Sequence, residues 1–167
     1  MIIRPEQECD YDEIRSVVKR SFAGAEHTDG DEHNLIDRLR RTDEYIPELS
    51  LVAEVDGRIA GYAMFSRIRI TTSEAIALAP LAVLPEFQSQ GIGKTLIATG
   101  HRIARKAGFS CCVVLGSPDY YSMSGYLPAS YFGITPPFDV PQEYYMVYPL
   151  HHPIPSGTVH YSPAFGL

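Results

Sequence analysis

Two glycines stand two residues apart in the polar segment Gln88-Ser89-Gln90-Gly91-Ile92-Gly93, and Lys94 follows. An apolar run, Leu81-Ala82-Val83-Leu84, precedes the segment. After it, Ile92, Leu96, Ile103 and Ala107 recur at helical spacing. A strand, a tight loop and a helix in that order suit an anion. The first amides of a helix have no partner inside it and carry the positive end of its dipole. Glycine lets the backbone approach the anion closely and take unusual φ and ψ. A phosphate-bearing cofactor is the expected ligand, and spacing sorts the candidates. A nucleotide P-loop requires G-x-x-x-x-G-K-[ST]. Gly93-Lys94-Thr95 supplies its end, but Gln88 stands where the first glycine belongs. The dinucleotide fingerprint requires G-x-G-x-x-G; Gly91 and Gly93 fit, whereas the third position is Leu96. Both nucleotide readings rank low.

The other reactive side chains offer less. Cys111 and Cys112 are adjacent on a short apolar run. Neighbours on a strand point to opposite faces, which disfavours a disulfide between them. With Cys9 they are expected as reduced thiols, the adjacent two in the core. His151, His152 and His160 lack metal-ligand spacing, and no metal is expected.

The elements that must position the loop can be read around it. Met1 to Arg4 suits a first strand. Asp10 to Ala23 reads as a helix, with Asp10 as N-cap and Glu13 three residues on. A second helix spans Asp31 to Arg41. Strands then run from Leu49 to Val55 and from Arg58 to Thr71 about an Asp56-Gly57 turn. A third, nearly all apolar, runs from Glu74 to Leu84 and is interrupted by Pro80, which cannot donate to a ladder. A long helix from Gly91 to Ala107 ends at Gly108. Cys111 to Leu115 is a short buried strand, Pro118 opens a short helix, and Glu143 to Leu150 suits one more strand. Beyond His151 the chain reads as extended and irregular.

The chain has 167 residues, 45% hydrophobic and 20% charged, which suits one domain with its own core. Its formal charge of −6 opposes nonspecific nucleic-acid binding and favours cationic substrates, though solubility alone also accounts for it. No run approaches the ~20 apolar residues of a membrane span. The N-terminus lacks the basic start and apolar run of a signal peptide, so the cytoplasm is the expected location and no membrane partner is expected.

The spacing of Gln88, Gly91 and Gly93 matches Q/R-x-x-G-x-G/A, the acetyl-CoA motif of the GNAT superfamily. A second landmark of that family, Y-x-x-x-G-F, is matched by Tyr121-Ser122-Met123-Ser124-Gly125-Tyr126, with Tyr126 in place of Phe. The order of elements resembles this superfamily over about residues 1 to 150. Within it the chain resembles the YhbS-like predicted acetyltransferases. The likeness is carried by Asp31 to Arg40, by Pro80-Leu81-Ala82-Val83, by Gly116-Ser117-Pro118-Asp119-Tyr120-Tyr121 and by the tail from Val159 to Phe165. Ser117 departs from the usual His, and Met123-Ser124 from a basic-aromatic pair.

The resemblance implies a mixed α/β (α+β) fold. Its central sheet would be mostly antiparallel, with a splayed parallel pair and flanking helices. Residues 1–150 would form the GNAT domain, and 151–167 an extended tail of the same domain. It implies acetyl-CoA as cosubstrate, held by Gln88, Ser89, Gln90, Gly91, Ile92, Gly93 and Lys94. Leu81, Ala82 and Val83 would line it and supply the oxyanion donor near a strand break at Pro80. The implied reaction is direct attack of a primary amine on the thioester, with Tyr121 protonating the departing thiolate. Glu32 is the candidate base, against a plain reading as a solvated helix-terminal acid. Glu74 and Glu86 fare no better. The acceptor, a small molecule or a peptide amine, is left open among aminoglycoside, polyamine, amino acid and protein N-terminus. A CoA-binding sensor without catalysis is the rival function; retention of Tyr121 favours the enzyme. The Tyr- and Pro-rich tail could cover the acceptor cleft, but reads rather as packing or an oligomer contact, which leaves a homodimer open.

Overall fold

Alternating apolar residues build the middle of this chain into a sheet, and helices whose apolar stripes match it cover the two faces. The structure, a computed structural model, describes residues 1–26 and 28–167. In chain order the elements are β1 (Ile2–Pro5), α1 (Tyr11–Phe22), α2 (Glu32–Leu39), β2 (Ser50–Val55), β3 (Arg58–Ile70) and β4 (Ser73–Val83). Then come α3 (Ile92–Lys106), β5 (Cys111–Leu115), α4 (Pro118–Ser122), β6 (Leu127–Pro128), β7 (Ile134–Thr135), β8 (Tyr145–Pro149) and β9 (Gly157–His160). The sheet order is β1-β2-β3-β4-β5-β8-β6, and β9 adds to the end of β3 and pairs with β7.

Local chemistry explains the hairpins. Asp56 and Gly57 both hold positive φ, 50° and 77°, as the tight turn between β2 and β3 requires. Asp10 stands at the N-cap of α1, as expected, but its side chain is used elsewhere than on that helix. Its carboxylate takes a bond from Arg4 Nη1 at 2.7 Å and from the Gln7 amide at 2.8 Å. Glu13 accepts from the Ile59 amide at 2.8 Å and so ties α1 to the sheet.

Three apolar clusters fill the interior. One lies between α3 and the sheet, with Phe65, Leu96, Ile97, Ala104 and Cys112 at its centre. A second lies between α1, α2 and the opposite face, around Ile14, Val18, Ile36, Val52 and Tyr62. A third covers the half of that opposite face which α1 and α2 do not reach, joining Ala75, Ala77, Val113 and Val147 to Tyr145 and Val159. The tail supplies its outer wall, so residues 151–167 are not simply irregular. Val159 and His160 pair antiparallel with Ile70 and Arg69. The sequence pattern missed β9 because four residues are too few to show a period.

All but two of the strand pairs are antiparallel, and within the central sheet β4 and β5 are the parallel pair. Their pairing covers only Ile76 with Cys112 and Ala77 with Val113. From Leu78 on, β4 has no strand on that side, while β5 stays paired to β8 as far as Leu115. The break thus begins upstream of Pro80, where the sequence placed it. At Pro80 itself the fault is on the other edge. Leu78 pairs with Phe65 and Leu81 with Ala63, so Ala79 and Pro80 bulge opposite Met64 alone.

Candidate active site

Gly91 is the N-cap of α3, with φ 82°. A side chain in that left-handed conformation is strained, which is the reason for glycine there. The first bond within the helix runs from the Thr95 amide to the Gly91 carbonyl at 3.0 Å. No side chain caps α3 and its first turn holds no acid. The amides of Ile92, Gly93 and Lys94 therefore form an uncapped, positively polarised end. Ser89, also at positive φ (63°), bends the approaching loop. The Gln88 side chain anchors that loop by donating to the Val83 carbonyl at 3.1 Å. Gln88, Ser89, Gln90, Gly91 and Lys94 are exposed, while Ile92 is buried under β3.

Gly93 has a different cause from the one its motif suggests. Its φ is ordinary, but a Cβ there would run into the hydroxyl of Tyr120. Tyr120, unremarked in the sequence beyond being a neighbour of Tyr121, thus lies against the first turn of α3. Leu81 and Val83 pack toward α3, and Ala82 packs beneath α1 and α2. What these three share along the open edge is backbone.

Glu86, just before the loop, does not leave an unopposed negative charge there. Arg20 grips it with two contacts of 3.0 Å and Arg58 approaches at 3.5 Å. Its own backbone amide and then Arg20 hold its carboxyl below the usual glutamate range.

Tyr121 stands on α4, whose cap is Ser117. Its hydroxyl accepts the Tyr120 amide at 3.5 Å, and Pro118 occupies the first turn. The serine that departs from the resembled histidine is thus a helix cap. The Tyr121 ring packs edge-on to Tyr120 and Tyr126 and closes over Gly116, where a Cβ would collide with it. Burial pushes its phenol well above the ordinary tyrosine range. The hydroxyl has no hydrogen-bond partner among the described residues. Beneath it lies a buried polar chain that the sequence did not announce. His101 Nε2 meets the Tyr126 hydroxyl at 2.8 Å, and that hydroxyl donates to Cys112 Sγ at 3.2 Å.

Where β4 and β5 part, a cleft of about 360 Å³ opens on the face opposite α3. Ala77, Leu78 and Ala79 form one edge, and Val113, Val114 and Leu115 the other. Glu32, the first residue of α2, lines it with Asp29, Asp31 and Leu35. The tail closes it with Tyr161, Phe165 and Leu167. Thr28 donates its hydroxyl to Glu32 Oε1, while Oε2 is buried without a partner among the described residues. Tyr121 does not line this cleft. It and Glu32 flank the gap between β4 and β5 from opposite faces of the sheet. Among the described residues no set of three His, Cys, Asp or Glu side chains is grouped to hold a metal, and no helix is long and apolar enough to cross a membrane.

An uncapped helix end beside a splayed parallel pair can be compared with known proteins. The profile of the Acetyltransferase (GNAT) family matches residues 11–123. The chain is 34% identical over 140 residues to the uncharacterised N-acetyltransferase YjhQ of Escherichia coli K12, covering 81% of this chain and 75% of that one. A GNAT family acetyltransferase from Brucella melitensis, solved in complex with acetyl-CoA, is similar with TM-score 0.83 and 32% identity over 98% of this chain and 97% of its own. YhbS of Escherichia coli, solved in complex with CoA, gives TM-score 0.88 and 26% identity over 99% and 92%. The chain belongs to the GNAT family of acetyltransferases, and its mixed sheet with flanking helices is that family's fold.

Proposed function

We propose that this chain binds acetyl-CoA along the gap between β4 and β5 and transfers the acetyl group directly to a primary amine seated in the cleft beside Glu32. The observation that carries the reading is the uncapped N-terminus of α3, with Gly91 at φ 82°, aligned with a β4 edge that has no partner beyond Ala77. The free amides would hold the pyrophosphate, and Lys94 adds a cation beside them. The open edge from Leu78 to Val83 offers backbone groups to an amide-bearing arm, as a sheet edge does to an added strand. The Brucella and Escherichia relatives bound to acetyl-CoA or CoA support the same ligand here.

In the reaction the amine nitrogen bonds to the thioester carbonyl carbon, and the carbonyl oxygen becomes an oxyanion that backbone amides of the open edge stabilise. The C–S bond then breaks and the sulfur takes a proton. Tyr121 is the donor in this reading: a phenol is protonated at neutral pH, and this hydroxyl has no competing partner among the described residues. The ammonium proton leaves to Glu32 or to water beside it. Thiol release from acetyl-CoA, followed across a panel of amines, tests the reading, with calorimetric titration of acetyl-CoA in parallel. Saturable binding with amine-dependent release of thiol is the expected result. Binding without release on any amine would leave a CoA sensor in place of an enzyme.

A further inference from the structure

The polar groups of the cleft are not balanced. Asp29, Asp31 and Glu32 line it, and Arg38 is its one cation among the described residues. Arg38 is already committed twice: Nη2 pairs with Asp31 at 2.8 Å, and Nε donates to the Ala164 carbonyl at 2.9 Å. The buried Oε2 of Glu32 stays unpartnered among the described residues, a costly state for a carboxylate oxygen unless a cation completes it. The same lining carries a row of rings, Phe138, Tyr161 and Phe165. Tyr161 lies 6.1 Å from Phe138 and 4.9 Å from Phe165, centroid to centroid. The row is held in place from behind, because the Tyr145 and Tyr161 hydroxyls meet at 2.8 Å and β9 is stitched to β3. The tail is therefore the wall of the cleft.

Resting on the reading of this cleft as the acceptor site, the geometry points to a small primary monoamine with an aromatic or bulky apolar body and no carboxylate. Its ammonium pairs with Glu32 on the cleft lining, and its body lies along Phe138, Tyr161 and Phe165. An α-amino acid is disfavoured because its carboxylate would enter an acidic lining whose arginine is occupied. A polyamine brings further cations with no apolar body to meet the rings. A polyhydroxylated aminoglycoside leaves hydroxyls against a wall with few partners for them. The volume of about 360 Å³ suits a small molecule rather than a folded partner.

The test uses the intact protein with acetyl-CoA and four acceptors: 2-phenylethylamine, L-phenylalanine, spermidine and kanamycin. Acetyl-CoA binding is measured separately by calorimetry. Phenylethylamine is expected to exceed L-phenylalanine in kcat/KM by roughly 10²-fold, since the two differ by the carboxylate. Glu32→Gln should lower kcat/KM for phenylethylamine by about 10²-fold or more and leave acetyl-CoA binding unchanged. Phe165→Ala should raise KM for phenylethylamine by roughly tenfold with kcat little altered, the signature of lost ground-state contact. If acetyl-CoA binds and spermidine, kanamycin or L-phenylalanine is the best acceptor, this inference is overturned and the transferase reading stands. Absence of acetyl-CoA binding overturns both.

Discussion

Acidification should unfold this protein earlier than its carboxylates alone would dictate, and His101 is the reason. The imidazole is 4% exposed, lies flat on Tyr148 at 3.9 Å and 15°, and meets the Tyr126 hydroxyl at 2.8 Å. Burial, and then the Arg105 charge, lower its pKa from 6.5 to about 4. The sign follows directly. Between those values the unfolded chain takes up a proton that the folded chain refuses, so stability falls as pH drops through the window. The loss from this group is about 2 kcal/mol at about pH 5 and approaches about 3 kcal/mol below about pH 4. The chain has no tryptophan, so urea unfolding is best followed by far-ultraviolet circular dichroism. His101→Gln keeps a hydrogen-bonding side chain and removes the titration. It loses the stacking at every pH, which is a constant offset. Between about pH 7.5 and about pH 5 the parent should lose about 2 kcal/mol more than the variant, all other titrations being shared. Parallel curves would show that His101 titrates normally and that its buried environment does not govern its charge.

Gly93→Ala should collide with the Tyr120 hydroxyl and destabilise the protein; the double variant Gly93→Ala/Tyr120→Phe should recover about 1 kcal/mol in urea unfolding, and additive losses would refute that contact. Tyr121→Phe should lower kcat by roughly 10²–10⁴-fold with acetyl-CoA affinity nearly unchanged, whereas lost affinity would make the hydroxyl a cofactor contact. The side chain of Glu6 is fully buried, paired with Arg40 at 2.7 Å and bonded by the Tyr45 and Tyr62 hydroxyls. Glu6→Ala leaves Arg40, among the described residues, only its contacts with Asp37, at 3.0 Å, and with the Tyr11 ring, and should cost about 2–4 kcal/mol in denaturant, with a loss under about 1 kcal/mol contradicting the pairing.

The strand, loop and helix around Gln88 to Gly93 were legible because they depend on local features: a glycine that can reverse the backbone and a helix that starts just after it. The β2–β3 hairpin was legible for the same local reason, in Asp56-Gly57. What escaped was decided by distant packing. The buried stripe of α3 runs through Gly93, Gly100 and His101, which no apolar period marks. Gly100 is there because Phe65 of β3 fills the place of its side chain, and Ala107, expected on the stripe, is exposed. The aromatic wall of the cleft was hidden likewise. Phe138, Tyr161 and Phe165 are scattered through an irregular stretch and meet only because the third apolar cluster needs a cover. Glu32 was readable as an acid at a helix start. That the residue lines a cleft and has one oxygen buried is a fact of the tertiary fold.

The central claim is that the N-terminus of α3 holds the acyl donor, and calorimetric titration of acetyl-CoA into the parent and into Gly91→Val tests it most directly. Valine at φ 82° is strained and distorts the anion end without touching the core, since a Cβ at that position meets nothing within 4 Å. The parent should bind saturably, with an affinity at least about 10²-fold weaker in a variant whose circular dichroism is unchanged. Equal affinity in the two folded proteins would contradict that claim and place the donor elsewhere.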